Sequence, residues 1–240
     1  MEVTFPVAIG NNSIQSGSRS ELSQTKEELA MGFILSADLP SLNSLSAFYF
    51  PKSNPDVSGL QVILAMLRND GETWDNANQI AYALATFKWE TANTFTPIHE
   101  LGSMSYFDKY EPGTALGKRL GNTSRGDGFL FRGRGYVQIT GRGNYAHFSH
   151  VMGIDIVSDP DKALEPNLAY EIATTGMKNG WFTGKRLSLY VPTGGQPDFV
   201  NARRTINGLD HAHDIAGYAT TFQGLLNADK GPDFTPIGEA

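Results

Sequence analysis

The amino-acid sequence predicts a mainly α-helical fold with long irregular connections and little sheet. Three observations lead there. Apolar residues recur at helical spacing in several separate segments. Glycine makes up 26 of 240 residues, above the usual share of about 7%, and suits tightly turned loops. The run Tyr136 to Thr140 (YVQIT) reads as a short strand, and few others do.

The elements follow in chain order. Residues 1–55 are rich in Ser, Asn and Pro and carry one helical stretch, Lys26 to Leu35, opened by Thr25. They read as an N-terminal extension, and YFPKSNPDVS (49–58), with two prolines, reads as its linker. Residues 56–240 read as one domain. Leu60, Ile63, Leu64 and Leu67 recur at helical spacing until Asp70-Gly71 breaks the pattern. A second helix is expected from Asn76 to Thr91, with Ile80, Leu84, Phe87 and Thr91 on one face. Asn93, Thr94, Thr96 and Pro97 end it, because the residue before proline avoids helical geometry. Residues 101–136 are glycine-rich and loop-like. Further helices are expected over 144–152, 163–178, 199–207 and 211–226, the third-to-last announced by Asp159-Pro160-Asp161.

Composition excludes several classes. Hydrophobic residues at 40% and aromatics at 11% supply a core, so wholesale disorder is excluded. A chain of this length can bury roughly 70% of its unfolded surface. With no cysteine there is no disulfide and no thiolate metal site. A formal net charge of −6 argues against gripping nucleic acid. No run approaches the roughly 20 apolar residues of a membrane span, and the start lacks the basic and apolar regions of a secretory signal.

Two carboxylates stand out. Glu90 falls at the edge of the second helix's apolar stripe, where desolvation favours the neutral acid. A carboxylic acid kept protonated is what a glycosidase needs to protonate a leaving oxygen. Position alone favours the plainer reading, a solvated residue at a helix end. Glu100 lies ten residues on. In a continued helix it would stand roughly 15 Å away, whereas an inverting pair needs about 6.5–9.5 Å. The break at Asn93–Pro97 is therefore required if the two cooperate. Glu111 competes for the second role, although an exposed loop acid is its plainer reading.

The run FRGRGYVQITGRGNY (131–145) is the third feature. Its glycines let backbone approach a ligand, and Gln138, Thr140 and Asn144 offer neutral hydrogen-bonding groups suited to a sugar or a water. Alternation would place Gln138 and Thr140 on one side of a strand. Arg132, Arg134 and Arg142 could suggest nucleic-acid binding, but the acidity of the chain opposes it. GTALGKR and GWFTGKR miss the phosphate-loop spacing. His147/His150 and His211/His213 lack a third ligand, so no metal site is expected.

Four runs in order, AYALATFKWETANTFTPIHE (81–100), FRGRGYVQITGRGNY, GMKNGWFTGK (176–185) and ARRTINGLD (202–210), resemble glycoside hydrolase family 19, in its bacterial and phage branch of chitinase-like and endolysin-like proteins. The resemblance spans about residues 57–226. It implies a lysozyme-like, two-lobed helical domain with a substrate cleft, and inverting hydrolysis of β-1,4 bonds in N-acetylglucosamine-containing polymers. It implies Glu90 as general acid, Glu100 as general base and Thr140 as holder of the attacking water. Gln138, Asn144, Arg134 and Asn207 match substrate-binding positions. Two features depart from plant members: Trp89 stands where they carry His, and their cysteines are absent. Both bear on chitin specificity and leave the acid–base pair intact.

The expected protein is thus a monomeric cell-wall glycan hydrolase without cofactor, acting on peptidoglycan after release by phage lysis or dedicated secretion. A chitinase and a catalytically silent glycan-binding protein are the alternatives.

Overall fold

The computed structural model describes residues 58–70 and 73–228. The N-terminal extension, its helix at Lys26 to Leu35 and most of its linker lie outside the described residues, as do residues 229–240.

The fold is mainly helical. Helix α1 (Ser58–Asn69) buries the expected stripe of Leu60, Ile63, Leu64 and Leu67. Each such side chain, fully buried, contributes about 1.5–3 kcal/mol. Helix α2 (Ala77–Glu90) is capped by Asn76, whose side chain accepts from the Gln79 N–H. It is not the amphipathic surface helix its spacing suggested. Every residue from Gln79 to Lys88 is buried, the pattern of a helix enclosed by the core. The long C-terminal helix α8 (Ala212–Ala228) packs along it and covers the second side. Tyr82 stacks on Phe199 at 6.1 Å, and Phe87 meets Tyr136 at 5.1 Å.

The sheet is minimal. Strands β1 (Ile98–His99) and β2 (Arg134–Gly135) pair antiparallel, Ile98 opposite Gly135 and His99 opposite Arg134. The strand expected at Tyr136–Thr140 is displaced. Gly135 and Gln138 both have positive φ (89° and 57°), so the chain turns back and Ile139 bridges to Arg134. Gln138 and Thr140 therefore do not alternate along one strand.

Residues 101–136 contain more structure than their glycines suggested. A 3₁₀ helix (Met104–Tyr110) and two short helices, α3 (Ala115–Arg119) and α4 (Asp127–Leu130), enclose a small core of Phe107, Tyr110 and Leu120. It is separate from the large core that holds α1, α2 and α8. Helix α5 (Arg142–Met152) follows. The helix expected from residue 163 divides into a 3₁₀ turn (Pro160–Leu164) and α6 (Pro166–Asn179). Pro166 forces Glu165 into extended geometry (ψ 123°). Another 3₁₀ turn (Leu187–Leu189) follows. The element expected over 199–207 is helix α7 (Phe199–Ala202) tightened into a 3₁₀ turn (Arg203–Thr205).

Candidate active site

Glu90 is the last residue of α2. Its Oε1 accepts from Arg203 Nη1 at 2.6 Å; the Glu90 side chain is nearly buried and that of Arg203 fully so, at 2% and 0% exposure. Arg203 Nε donates to the Asp210 carbonyl at 3.2 Å, which orients the guanidinium. Two influences act on the carboxyl in opposite directions. Burial pushes its pKa above the ordinary range, and the Arg203 charge and hydrogen bond pull it back. Burial prevails, and the Glu90 pKa lies above its ordinary value. Glu90 is thus more enclosed than a position at the edge of an apolar stripe implied, because α8 and the Arg203 turn close over it.

A tight reversal separates Glu90 from Glu100. Ala92, Asn93 and Phe95 all have positive φ (50°, 70° and 52°). Left-handed geometry costs roughly 1–2 kcal/mol per non-glycine residue. Local bonds offset that cost. Phe95 N donates to Thr91 Oγ1 at 2.9 Å, Lys88 Nζ donates to Asn93 Oδ1 at 2.6 Å, and the Phe95 ring is buried. The chain then returns as β1, ending beside Glu100.

Glu100 is held from two sides. Tyr110 OH, from the small core, donates to Oε1 at 2.9 Å. The Gly133 N–H donates to Oε2 at 3.1 Å, while the Glu100 N–H donates to the Gly133 carbonyl at 2.7 Å. A Cβ on residue 133 would lie 2.8 Å from Gln138 Oε1, 3.0 Å from the Glu100 Cβ and 3.3 Å from Oε2, so a larger residue there would push on both side chains. Glu100 is half-buried.

The neutral groups form a chain around this strand pair. Gln138 Nε2 donates to the carbonyls of Ile98 and Gly135, each at 2.9 Å. Thr140 Oγ1 donates to the Gln138 carbonyl at 3.0 Å, and Asn144 Nδ2 donates to the Thr140 carbonyl at 2.6 Å. Arg134 is buried, with Nε on Asp161 Oδ1 at 2.8 Å and Nη1 on Leu130 O and Tyr145 OH. Its contacts are internal. The candidate residues thus fall into two connected groups. Glu100, Gln138, Thr140, Asn144 and Arg134 surround the strand pair. Glu90 and Asn207 meet through Arg203, whose carbonyl accepts from the Asn207 N–H at 2.9 Å.

Glu111 has a different occupation. Its carboxylate accepts from the N–H groups of Gly126 and Gly128 at 2.9–3.1 Å, capping the start of α4. Among the described residues no group of three or more metal-ligating side chains converges. The residues sequence reasoning missed are Arg203, Tyr110 and Gly133. Arg203 stands in the ARRTINGLD run, but nothing in its spacing marks which arginine turns inward. Trp89, beside Glu90, stacks on His211 at 4.5 Å, and His211 lies 3.5 Å and 3.4 Å from Asp210 and Asp214 carboxylates.

No family profile and no curated protein sequence matches the chain. Among solved structures it is similar to chitinase C from Streptomyces griseus HUT6037, with 18% identity over 78% of this chain and 92% of that one, at a TM-score of 0.48. It is likewise similar to a mutant of chitinase C, with 16% identity over 78% of this chain and 76% of that one, also at 0.48.

Proposed function

We propose that the protein hydrolyses β-1,4 glycosidic bonds in an N-acetylglucosamine-containing cell-wall polymer, peptidoglycan, by an inverting acid–base mechanism in the manner of endolysins. One observation carries the reading: two carboxylates on either side of a tight reversal sit in opposite environments. Glu90 is enclosed, and burial raises its pKa against the pull of Arg203. Glu100 is half-buried and faces two donors. Pairs of carboxyl groups divided in this way divide the acid and base roles.

Glu90 gives its proton to the glycosidic oxygen as the bond from C1 to that oxygen breaks. Glu100 takes a proton from a water whose oxygen bonds to C1 from the opposite face. The Thr140 hydroxyl already donates to Gln138, so its lone pairs are free to accept from that water. Arg203 stabilises the Glu90 carboxylate left behind; before the next turnover Glu100 releases the proton it took, and Glu90 regains one, once product leaves and water enters.

The test is turnover of purified peptidoglycan, read by mass spectrometry of released fragments. Glu90→Gln keeps size and the acceptor for Arg203 but cannot donate the proton. It should lose about 10²–10⁴-fold in rate with its fold intact. Near-wild-type turnover by folded Glu90→Gln would refute the assignment, and wall binding without any cleavage by the wild type would favour the silent glycan-binding protein.

A further inference from the structure

The FRGRGYVQITGR run carries three arginines, and their surroundings differ. Arg134 pairs with Asp161 at 2.8 Å, and Arg142 pairs with Asp127 at 2.6 Å. Arg132 has no carboxylate within ion-pair distance among the described residues. It is half-buried, and its guanidinium is nonetheless fixed. Nη1 donates to the Phe129 carbonyl at 2.9 Å, and the guanidinium carbon lies 4.1 Å from the centre of the Phe129 ring. Those two contacts leave the N–H groups of Nε and Nη2 outside any hydrogen bond among the described residues. That edge of an arginine matches a carboxylate in a bidentate pair.

Its position gives the free edge meaning. Arg132 directly precedes Gly133, whose N–H holds Glu100. The Arg132 carbonyl is itself anchored by Tyr145 OH at 2.9 Å. The cation is close enough to Glu100, Arg134 and Asp161 for their charges to act on it. Of those two carboxylates, Asp161 is engaged by Arg134, and Glu100 accepts from Tyr110 OH and the Gly133 N–H. His99 adds an Nδ1 that is buried with no hydrogen-bond partner. The surroundings therefore leave the Nε and Nη2 edge of Arg132 without a protein partner among the described residues, one residue from the N–H that holds Glu100.

We propose that Arg132 is a carboxylate-binding, specificity-determining residue beside Glu100, which selects glycan strands bearing acidic peptide substituents over neutral strands. The inference rests on the hydrolase reading above and names the feature of the substrate that this site reads. A polymer of N-acetylglucosamine alone carries no charge for Arg132 to meet. The peptide branches of peptidoglycan carry free carboxylates.

The test compares two preparations of phosphate-free peptidoglycan. One is native. In the other, carbodiimide and ammonia convert the carboxyl groups to neutral amides on the same glycan. Wild type should show a kcat/KM at least about tenfold higher on native material, mostly through KM, as expected for a charge-assisted contact. Arg132→Gln should bring the two values together, and Arg132→Lys should restore part of the preference. Equal wild-type values on both preparations would overturn the proposal, and so would Arg132→Gln keeping the wild-type ratio. Cosedimentation of the same proteins with the same two preparations reads the preference without turnover. Absence of cleavage by wild type would then count against the hydrolase reading, while the binding ratio still decides the role of Arg132.

Discussion

The Glu90 carboxylate lies 2.6 Å from the Arg203 guanidinium, 113 residues further along the chain, with Arg203 fully buried and Glu90 nearly so. Ion pairs of this kind rarely add stability relative to apolar residues, and breaking one by removing a partner costs about 3–5 kcal/mol. In the proposed mechanism its value is control of a proton. Burial raises the Glu90 pKa, and the charge and hydrogen bond of Arg203 act in the opposite direction.

That balance predicts a shift in the pH profile. Arg203 lowers the Glu90 pKa, so its loss raises it. The alkaline limb of kcat/KM, where Glu90 loses its proton, should move to higher pH in Arg203→Met and stay near its wild-type position in Arg203→Lys. A limb that moves to lower pH in Arg203→Met would contradict the pairing. Circular dichroism distinguishes a shifted limb from an unfolded variant.

The two remaining candidate bases should separate cleanly. Glu100→Gln should lose at least about 10²-fold in kcat with little change in stability. Glu111→Gln weakens the cap of α4 and should cost about 1–2 kcal/mol, read by denaturant unfolding, while keeping most activity. Activity loss centred on Glu111→Gln would reassign the base.

The ion pair of Asp127 and Arg142 predicts acid sensitivity. Hydrogen bonding to Arg142 lowers the Asp127 pKa from its ordinary 3.8 to about 2. A depressed carboxyl pKa contributes stability that is present above the unfolded value and is lost as pH falls through the folded one. Asp127→Asn should therefore be less stable than wild type by about 2 kcal/mol near pH 6. The gap should close as pH falls from about 4 towards 2. Denaturant unfolding across that range measures it, and a pH-independent gap would assign the loss to packing.

Much of this architecture is legible in the sequence, and the exceptions have physical causes. The stripe of Leu60, Ile63, Leu64 and Leu67 announces α1, and the reversal before Pro97 is visible as a run of helix breakers. The full enclosure of α2 is not, because spacing on one helix cannot show that α8 covers its other side. Pro166 divides a helix that the residues around it would otherwise continue. The left-handed Gln138 turns YVQIT from a strand into a loop, and no composition rule marks a glutamine for that geometry. Glu90 and Glu100 stand out as acids, whereas Arg203 gains its place only through the tertiary fold. Tyr110 likewise reaches Glu100 only because the small core of Phe107 and Leu120 fixes the 3₁₀ helix that carries it.

In the proposed mechanism Glu90 delivers a proton while Glu100 activates a water, which inverts the anomeric centre. An inverting pair leaves room for that water, whereas a retaining pair forms a glycosyl-enzyme. Proton NMR of a β-1,4-linked N-acetylglucosamine-containing oligomer, followed from the first moments of cleavage, reads the outcome before mutarotation mixes the anomers. The newly formed reducing end should appear first as the α anomer. A β anomer at early times, or a sugar trapped covalently on Glu100, would contradict it.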